Sequence, residues 1–395
     1  MASASVDTRG IGQAGAGWGI SLPLPVLLVL GALALGIGAG LPPEEVVRRF
    51  GQGFGRSLGD FALILLPSFL IAASLSHRAL PSMGGAVRFV APFASAGMIC
   101  HITAYAALAP LAGAHRISMA MAAFAGFMLL VPAGPLIVGA SLGIDDPSIY
   151  LLGLVLLVPV MLAGEAWLRL FPEPVAPPER REAGGDWAGF IPFGVLAALL
   201  VAGWLLPLHD VPVLGFLVQP KGALLMAGVA AWIGTPAPLR RECVDSAVRR
   251  TTGLMLLVGA AGAFGGMATF VVPVAQLLPQ GEGGQLAGVL ALFAAASTLK
   301  MLQGSSMATF AALGPLVAPV VAHLGLPPAL AVYAICAGGF VAILPNDNYY
   351  WLVRRDALEG APEKAVVARL TGAAVCQGLA ALVSLIALWA VGVVG

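Results

Sequence analysis

The chain has 395 residues, of which 59% are hydrophobic and 10% are charged, and its formal net charge is +1. A soluble domain carries about 25% charged residues, so this composition excludes an ordinary water-soluble protein, and the balanced charge gives no sign of a nucleic-acid partner. Apolar runs repeatedly reach the length of about 20 residues that a helix needs to cross a hydrocarbon core of about 30 Å. We therefore predict an all-α polytopic membrane protein.

Twelve apolar segments follow a polar N-terminal tail, residues 1–20, in which no cleaved signal peptide is expected. They lie at about residues 21–41, 60–78, 87–112, 117–143, 147–170, 189–206, 213–234, 251–279, 284–300, 304–323, 327–346 and 365–393. A segment rich in proline and charge, residues 171–188, separates the fifth from the sixth. We interpret it as a cytoplasmic linker between a first transmembrane repeat, residues 21–170, and a linking helix with a second repeat, residues 189–395.

The two halves contain similar interruptions. A helix is broken by proline at LLVPAGPLIV (129–138) and again at AILPNDNYYW (342–351). Ahead of each break, two short apolar arms flank a polar tip, CHITAY (100–105) in the first half and LKMLQGSS (299–306) in the second. Interrupted helices at corresponding positions of two halves indicate the binding site of a transporter.

The distribution of lysine and arginine allows two topologies, because these residues concentrate in cytoplasmic loops. With twelve crossings, sixteen of them lie on one side and four on the other; with 87–112 and 284–323 as re-entrant hairpins, the split is fifteen to four. Repeat symmetry favours the hairpins, because the halves then enter the membrane from opposite sides. The predicted fold has inverted repeats, two re-entrant hairpins and two broken helices, in about 10–12 membrane segments. The N-terminus and the linker are then cytoplasmic and the C-terminus is outside.

The tip of the second hairpin is a candidate for substrate binding. Gln303, Gly304, Ser305 and Ser306 place N–H groups, hydroxyls and an amide close together without bulky side chains, which suits a carboxylate or a polyol. Small residues of this kind also serve helix packing, and that alternative stays open. Lys300 could neutralise an anion at the tip, but we expect its ammonium group to extend to the membrane interface.

The LPNDN stretch has two possible environments, because loose backbone survives in hydrocarbon only where protein or water satisfies it. In one, Asn346, Asp347 or Asn348 caps a helix at the water, with the aromatic residues 349–351 at the interface. In the other, the N–H groups around Asn346 and Asn348, together with those at Gly134 of the first break, attract an anionic substrate.

Two ionisable residues, Asp347 and His101, stand in apolar surroundings. A charge at the membrane centre costs at least about 2.5–3.5 kcal/mol on insertion scales, so such residues usually face a cavity, and either could carry a proton. The cysteines show no CxxC and no paired spacing, so neither a disulfide framework nor a metal site is expected. No cofactor is expected, and the lack of HExxH and of an Asp-rich cluster argues against an intramembrane enzyme.

Three stretches carry a family resemblance: LVPAGPLIVGASLGID (130–145), LMLLVGAAGAFGGM (254–267) and the segment 300–358, which runs from KMLQGSS through LPNDNYYW. They resemble elements of the gluconate permease (GntP-type) family of the ion transporter superfamily. The matching positions are Pro132, Gly134, Pro135, Gln303, Gly304, Ser305, Asn346, Asp347 and Trp351. The chain departs from the family at the first tip, where Cys100 and His101 stand in place of an acidic pattern.

The resemblance implies a secondary active permease, a symporter that imports gluconate or a related small hydroxy-carboxylate with protons across the inner (plasma) membrane. The second tip and the two breaks would bind the substrate, and Asp347, or failing it His101, would carry the proton. A sodium-coupled carboxylate carrier is the alternative, since unwound carbonyls at both breaks could hold Na⁺. Whether the permease forms a homo-oligomer is left open.

Reporters attached to the two termini test the hairpin topology. An N-terminal reporter should be found in the cytoplasm and a C-terminal reporter outside, because two re-entrant regions leave an odd number of crossings. Activity of a fluorescent protein and of a phosphatase at each end measures this. Both termini outside would contradict the hairpins and support twelve crossings.

Overall fold

The computed structural model of the protein describes residues 22–55, 58–78, 84–144, 147–170, 187–206, 211–271 and 282–394. The predicted tail, residues 1–20, and most of the predicted linker, residues 171–186, lie outside these ranges. The described residues are predominantly helical and contain no β-strand, so the predicted all-α class is confirmed.

The helices are named in chain order. They are α1 (Leu24–Gly38), α2 (Pro43–Gly55), α3 (Leu58–Leu75), α4 (Val87–Gly97), α5 (His101–Ala112), α6 (Arg116–Leu129), α7 (Gly134–Leu142), α8 (Leu152–Arg169), α9 (Ile191–Leu205), α10 (Pro212–Val218), α11 (Pro220–Gly234), α12 (Ala237–Val271), α13 (Glu282–Gln303), α14 (Ser306–Leu324), α15 (Pro328–Gly338), α16 (Asn348–Ala357) and α17 (Glu363–Ala390). Short 3-10 turns precede α4, α6, α8 and α9.

Many of these helices are apolar enough for a membrane. Five are also long enough to cross it, namely Gly113–Leu142, Ile149–Arg169, Ala237–Ala268, Gly284–Gln303 and Glu363–Ala390. The pair α10 and α11, bent by 81°, adds a sixth span if it is counted as one. Shorter apolar helices are Pro25–Gly38, Phe61–Leu75, Ala188–Gly203, Ser306–Ala318 and Pro328–Gly338. The protein is therefore a multi-pass membrane protein.

Both regions expected to be re-entrant consist of two helices that pack against each other, α4 with α5 and α13 with α14. Each turn contains one residue in the left-handed region, Ile99 at φ 44° and Gly304 at φ 69°. The second arm of each hairpin then starts with a side-chain cap: the Sγ of Cys100 accepts from the Thr103 N–H at 3.4 Å, and the Oγ of Ser305 accepts from the Ala308 N–H at 3.3 Å. The two hairpins thus end in the same local structure.

The two predicted broken helices are also present. The first consists of α6 and α7 with residues 130–133 between them, and the second of α15 and α16 with residues 339–347 between them. The first break is short, and its Ala133 N–H donates to the Leu130 carbonyl at 3.0 Å. The second is longer and contains Ala342 at φ 71°.

Packing between the helices repeats from one half to the other. Helix α1 packs on α12 as α11 packs on α3, and α4 packs on α6 as α13 packs on α15. Contacts between α7 and α14 likewise have their counterpart in those between α16 and α5, while α8 and α17 face each other. Helix α9, the predicted linking helix, packs on α11 and α4.

Helix α2 was not among the predicted apolar segments, because it is amphipathic. Its Val46 is buried beside Met267 of α12, whereas Arg48 and Arg49 both form ion pairs with Glu45. The hydrogen bond from the Arg48 guanidinium lowers the pKa of the Glu45 carboxyl group. A helix with one apolar stripe and one charged face gives a weak hydropathy signal, which is why the apolar runs did not reveal it.

Small residues allow the helices around the first break to approach closely. A Cβ atom at Gly126 of α6 would lie 2.1 Å from the Pro92 carbonyl oxygen of α4, and one at Gly153 of α8 would lie 1.9 Å from the Leu129 carbonyl oxygen. Close backbone approach at glycine is the usual way in which membrane helices gain packing energy. Helix α6 is accordingly buried from Ile117 to Leu129, apart from the partly exposed Ser118.

Substitution of Gly126 tests this packing. Gly126→Ala should lower the free energy of unfolding by about 1–3 kcal/mol, because the added methyl group forces α4 and α6 apart. Gly253→Ala is the matched control, since a Cβ atom at Gly253 of α12 would meet nothing within 4 Å. Thermal unfolding of the purified variants in detergent measures both, and equal melting temperatures would contradict the packing.

Candidate functional site

The tip of the second hairpin lies directly against the second break. A Cβ atom at Gly304 would be 2.2 Å from the Asn346 carbonyl oxygen, so only glycine allows this approach. The Nδ2 of Asn346 donates to the Met301 carbonyl oxygen at 2.7 Å, at the end of α13. Two regions that the sequence separates by about forty residues are thus joined at the backbone level.

Lys300, one turn before the tip, forms a buried ion pair with Asp347. Its Nζ donates to Oδ2 of Asp347 and, at 3.2 Å, to the Gly304 carbonyl oxygen. The side chain is 0% exposed, so the expectation that Lys300 extends to the membrane interface was wrong. The carboxylate and the carbonyl oxygen compensate the ammonium group inside the protein, and this removes the need for it to reach water.

Asp347 also supports the backbone of the break. Its Oδ1 accepts from the Tyr349 N–H at 2.8 Å, which caps the first turn of α16. Asp347 is 2% exposed, whereas the neighbouring Asn346 and Asn348 are exposed. The carboxylate of Asp347 therefore serves the helix end with one oxygen and Lys300 with the other.

Carbonyl groups of the second break find partners on two helices. The Thr371 hydroxyl of α17 donates to the Ile343 carbonyl oxygen at 2.7 Å, and the Trp351 indole N–H of α16 donates to the Pro345 carbonyl oxygen at 2.7 Å. Backbone that leaves the helix is thus satisfied within the protein, as a membrane position requires.

Three polar side chains near the tips have buried atoms without a hydrogen-bond partner among the described residues. They are both amide atoms of Gln303, the hydroxyl of Ser306 and Nδ1 of His101. Ser305 differs, because its hydroxyl caps α14. An unsatisfied buried polar group costs about 1–3 kcal/mol, so groups of this kind mark a place where a polar ligand can supply the missing partners.

His101 begins α5 and lies among aromatic rings. Its ring centroid is 4.6 Å from that of Tyr349, 4.9 Å from Phe127 and 5.1 Å from Phe124. The ring of Phe124 also lies 5.9 Å from the Nζ of Lys300. Phe124 therefore stands between the tip of the first hairpin and the ion pair of the second half.

Gly134 begins α7 and packs against the second hairpin, about one turn along α14 from Ser306. A Cβ atom at Gly134 would lie 2.8 Å from the Phe310 ring and 2.9 Å from the Phe127 carbonyl oxygen. The rings of Phe127 and Phe310 stack at 5.9 Å. The structure thus brings Gly134 to the second hairpin but not against its tip.

The two tips align residue by residue, which the sequence analysis did not detect. CHITAYAALAPL (100–111) and SSMATFAALGPL (305–316) share Ala-Ala-Leu and then Pro-Leu at the same spacing. With the caps Cys100 and Ser305 superposed, His101 corresponds to Ser306. Comparing the second arms of the hairpins directly would have revealed this repeat and would have placed His101 and Ser306 in equivalent positions.

Two cavities lie away from the tip. One, of about 240 Å³, is lined mainly by apolar residues of α4, α8, α9 and α10 and reaches the first break at Val131. The other, of about 300 Å³, lies beside Ser74 and Arg78 at the end of α3. The apolar lining of the first does not suit a hydroxylated anion.

Comparison with known proteins agrees with this architecture. Residues 210–392 match the family model of the GntP family permeases. The high-affinity gluconate transporter of Escherichia coli (strain K12) is 23% identical over 372 residues, which cover 80% of this chain and 83% of that transporter. The C-terminal part of the chain is therefore similar to the GntP family permeases, and the relatives that it resembles are transporters and not enzymes.

The fold of this chain is also found in a solved structure. The YdaH transporter of Alcanivorax borkumensis superposes with a TM-score of 0.69, covering 93% of this chain and 98% of that chain, at 18% identity. The overall fold is therefore shared with an experimentally determined structure.

Gly304 offers a test of the contact between tip and break. Gly304→Ala should lower the free energy of unfolding by about 1–3 kcal/mol more than Gly325→Ala does, because only at Gly304 does the methyl group meet the Asn346 carbonyl. Both residues are left-handed, at φ 69° and φ 58°, so the backbone strain is matched. Chemical unfolding in detergent compares the two variants, and equal losses would show that the contact is not close.

Proposed function

We propose that this protein is a GntP-type permease that imports gluconate or a related small hydroxy-carboxylate together with protons across the inner (plasma) membrane. The observation that carries the proposal is the group of unpartnered buried polar atoms on Gln303, Ser306 and His101 around the pair Lys300–Asp347. A hydroxylated anion supplies acceptors and donors for such atoms. Similarity to the high-affinity gluconate transporter of Escherichia coli (strain K12) supports the same substrate class.

Helix N-termini give the site its preference for anions. Helices α5, α14 and α16 begin at His101, Ser306 and Asn348, and these starts are linked by the contact of His101 with Tyr349 and of Gly304 with Asn346. The N-terminus of a helix carries free N–H groups and a partial positive charge. We assign substrate binding to Gln303, Gly304, Ser305 and Ser306, with the N–H groups around Asn346, Asn348 and Gly134.

The proposed driving force is the proton gradient. Asp347 is the proposed proton carrier, and His101 is the second candidate. A monoanion that enters with one proton carries no net charge, so the pH difference alone would drive it, at about 1.4 kcal/mol per pH unit.

Sodium coupling is the competing proposal, and it would require carbonyl oxygens of the breaks to bind Na⁺. The carbonyl groups of Ile343 and Pro345 already accept hydrogen bonds from Thr371 and Trp351. A bound Na⁺ would have to share these oxygens. The described residues also contain no group of three or more His, Cys, Asp and Glu side chains that could hold a metal ion.

Uptake into proteoliposomes tests the function and the coupling ion. An inward proton gradient should drive accumulation of labelled gluconate, and replacement of sodium by choline should leave it unchanged. Asp347→Asn should abolish the response to the pH gradient, because the amide cannot exchange a proton in this range. Asp245→Asn, at an exposed position of α12, is the control and should behave as wild type.

Three outcomes would contradict this scheme. Loss of uptake in choline would support sodium coupling. If Asp347→Asn still showed pH-driven uptake, the role of proton carrier would be assigned to His101. Equilibration without accumulation would indicate a passive pathway.

A further inference from the structure

Lys300 is a buried cation next to the proposed site and is not among the residues to which substrate binding is assigned above. We propose that Lys300 binds the carboxylate of the substrate, and that Asp347 holds this position in the conformation observed. The proposal rests on the transport function proposed above and deepens it. It names the residue that selects a carboxylate and predicts the number of protons that accompany it.

The ammonium group of Lys300 is placed so that it could release the Asp347 carboxylate and bind the carboxylate of the substrate instead. Its acceptors among the described residues are Oδ2 of Asp347 and the Gly304 carbonyl oxygen, and a third N–H is free of an oxygen acceptor there. Gln303, on the same turn of α13, and Ser306, just past the tip, have unpartnered polar atoms. A sugar acid whose carboxylate met Lys300 would bring its hydroxyl groups to these two side chains.

Charge balance then requires a proton. The pair Lys300–Asp347 is neutral as a unit, and both side chains are at most 3% exposed. If a substrate monoanion took Lys300, Asp347 would remain as an unpaired buried carboxylate, which is strongly unfavourable. A proton on Oδ2 of Asp347 removes this charge, while Oδ1 keeps its hydrogen bond from the Tyr349 N–H. One proton, taken from the same side as the substrate, therefore accompanies each monoanion.

The groups around Asp347 indicate that Asp347 is the residue that takes up the proton in this exchange. Lys300 approaches from α13, Tyr349 lies on its own helix, and Tyr105 and His101 of α5 pack against the Tyr349 ring. Among the described residues, Asp347 is the one carboxylate that contacts Lys300. The same ion pair connects the tip of the second hairpin to the start of α16, so an exchange of partners at Lys300 would break this connection.

Binding measurements on purified protein separate the carboxylate contact from the rest of the site. The double variant Lys300→Gln/Asp347→Asn removes both charges together, so it leaves no unpaired buried ion that would prevent folding. Its affinity for gluconate should fall about 10- to 100-fold, as expected for the loss of a hydrogen bond to a charged group. Its affinity for the neutral analogue gluconamide should stay within about twofold of wild type.

Asp347→Asn alone should behave differently. Lys300 is then always available, so gluconate should bind at least as tightly as to wild type, and the affinity should no longer depend on pH. Pyranine-loaded proteoliposomes should show about one proton per gluconate for wild type and none for this variant. Lys364→Gln, exposed in the first turn of α17, is the charge control and should match wild type in every measurement.

Each result decides a separate question. The role of Lys300 is refuted, while the function stands, if the double variant remains monodisperse and binds gluconate as wild type does. It is also refuted if Asp347→Asn remains monodisperse but loses gluconate as fully as the double variant. If wild-type protein binds neither gluconate nor any member of a panel of sugar acids, lactate, glycerate and dicarboxylates, the proposed function itself fails and this inference fails with it.

Discussion

Backbone that leaves a helix within a membrane must find its hydrogen-bond partners inside the protein, because lipid supplies none. This constraint explains the polar residues at the interruptions. Cys100, Ser305 and Asp347 cap the helices that restart there, and Thr371 and Trp351 bind carbonyl groups of the second break. These residues serve the backbone first. What remains available to a ligand is the set of helix N-termini and the few side chains that the capping leaves unused.

The same constraint governs charge. Lys300 and Asp347 are tolerated at a buried position because each neutralises the other, and the pair also ties the second tip to the second break. A buried ion pair is weak evidence for stability, since desolvation offsets most of the attraction. It is better understood as an element that a charged ligand can exchange, and this links substrate binding to the geometry of the hairpin.

The two halves share a backbone plan but differ in chemistry. With the caps Cys100 and Ser305 superposed, Ser95 stands where the second half has Lys300. At the first break the N-cap position of α7 is Ala133, which has no capping side chain, whereas Asp347 caps α16 at the second break. The first half supplies instead a rigid aromatic wall, in which Phe124 contacts His101, Tyr349 and the ammonium group of Lys300. One repeat therefore carries the charges and the other shapes the space beside them.

Sequence alone determined the membrane class, the two hairpins, the two breaks and the polar tip at Gln303 to Ser306, because hydropathy and interruptions by proline and glycine are local properties of the chain. It missed α2, whose amphipathic pattern gives a weak hydropathy signal. It also left Asp347 between a capping role and a coupling role and placed Lys300 at the interface. Only the tertiary structure decided that Lys300 is buried against Asp347, because the two are 47 residues apart. From the local sequence, Lys300 is expected to avoid lipid by reaching the interface, because its counter-charge is not visible there. The fold supplies that counter-charge by placing Asp347 beside it.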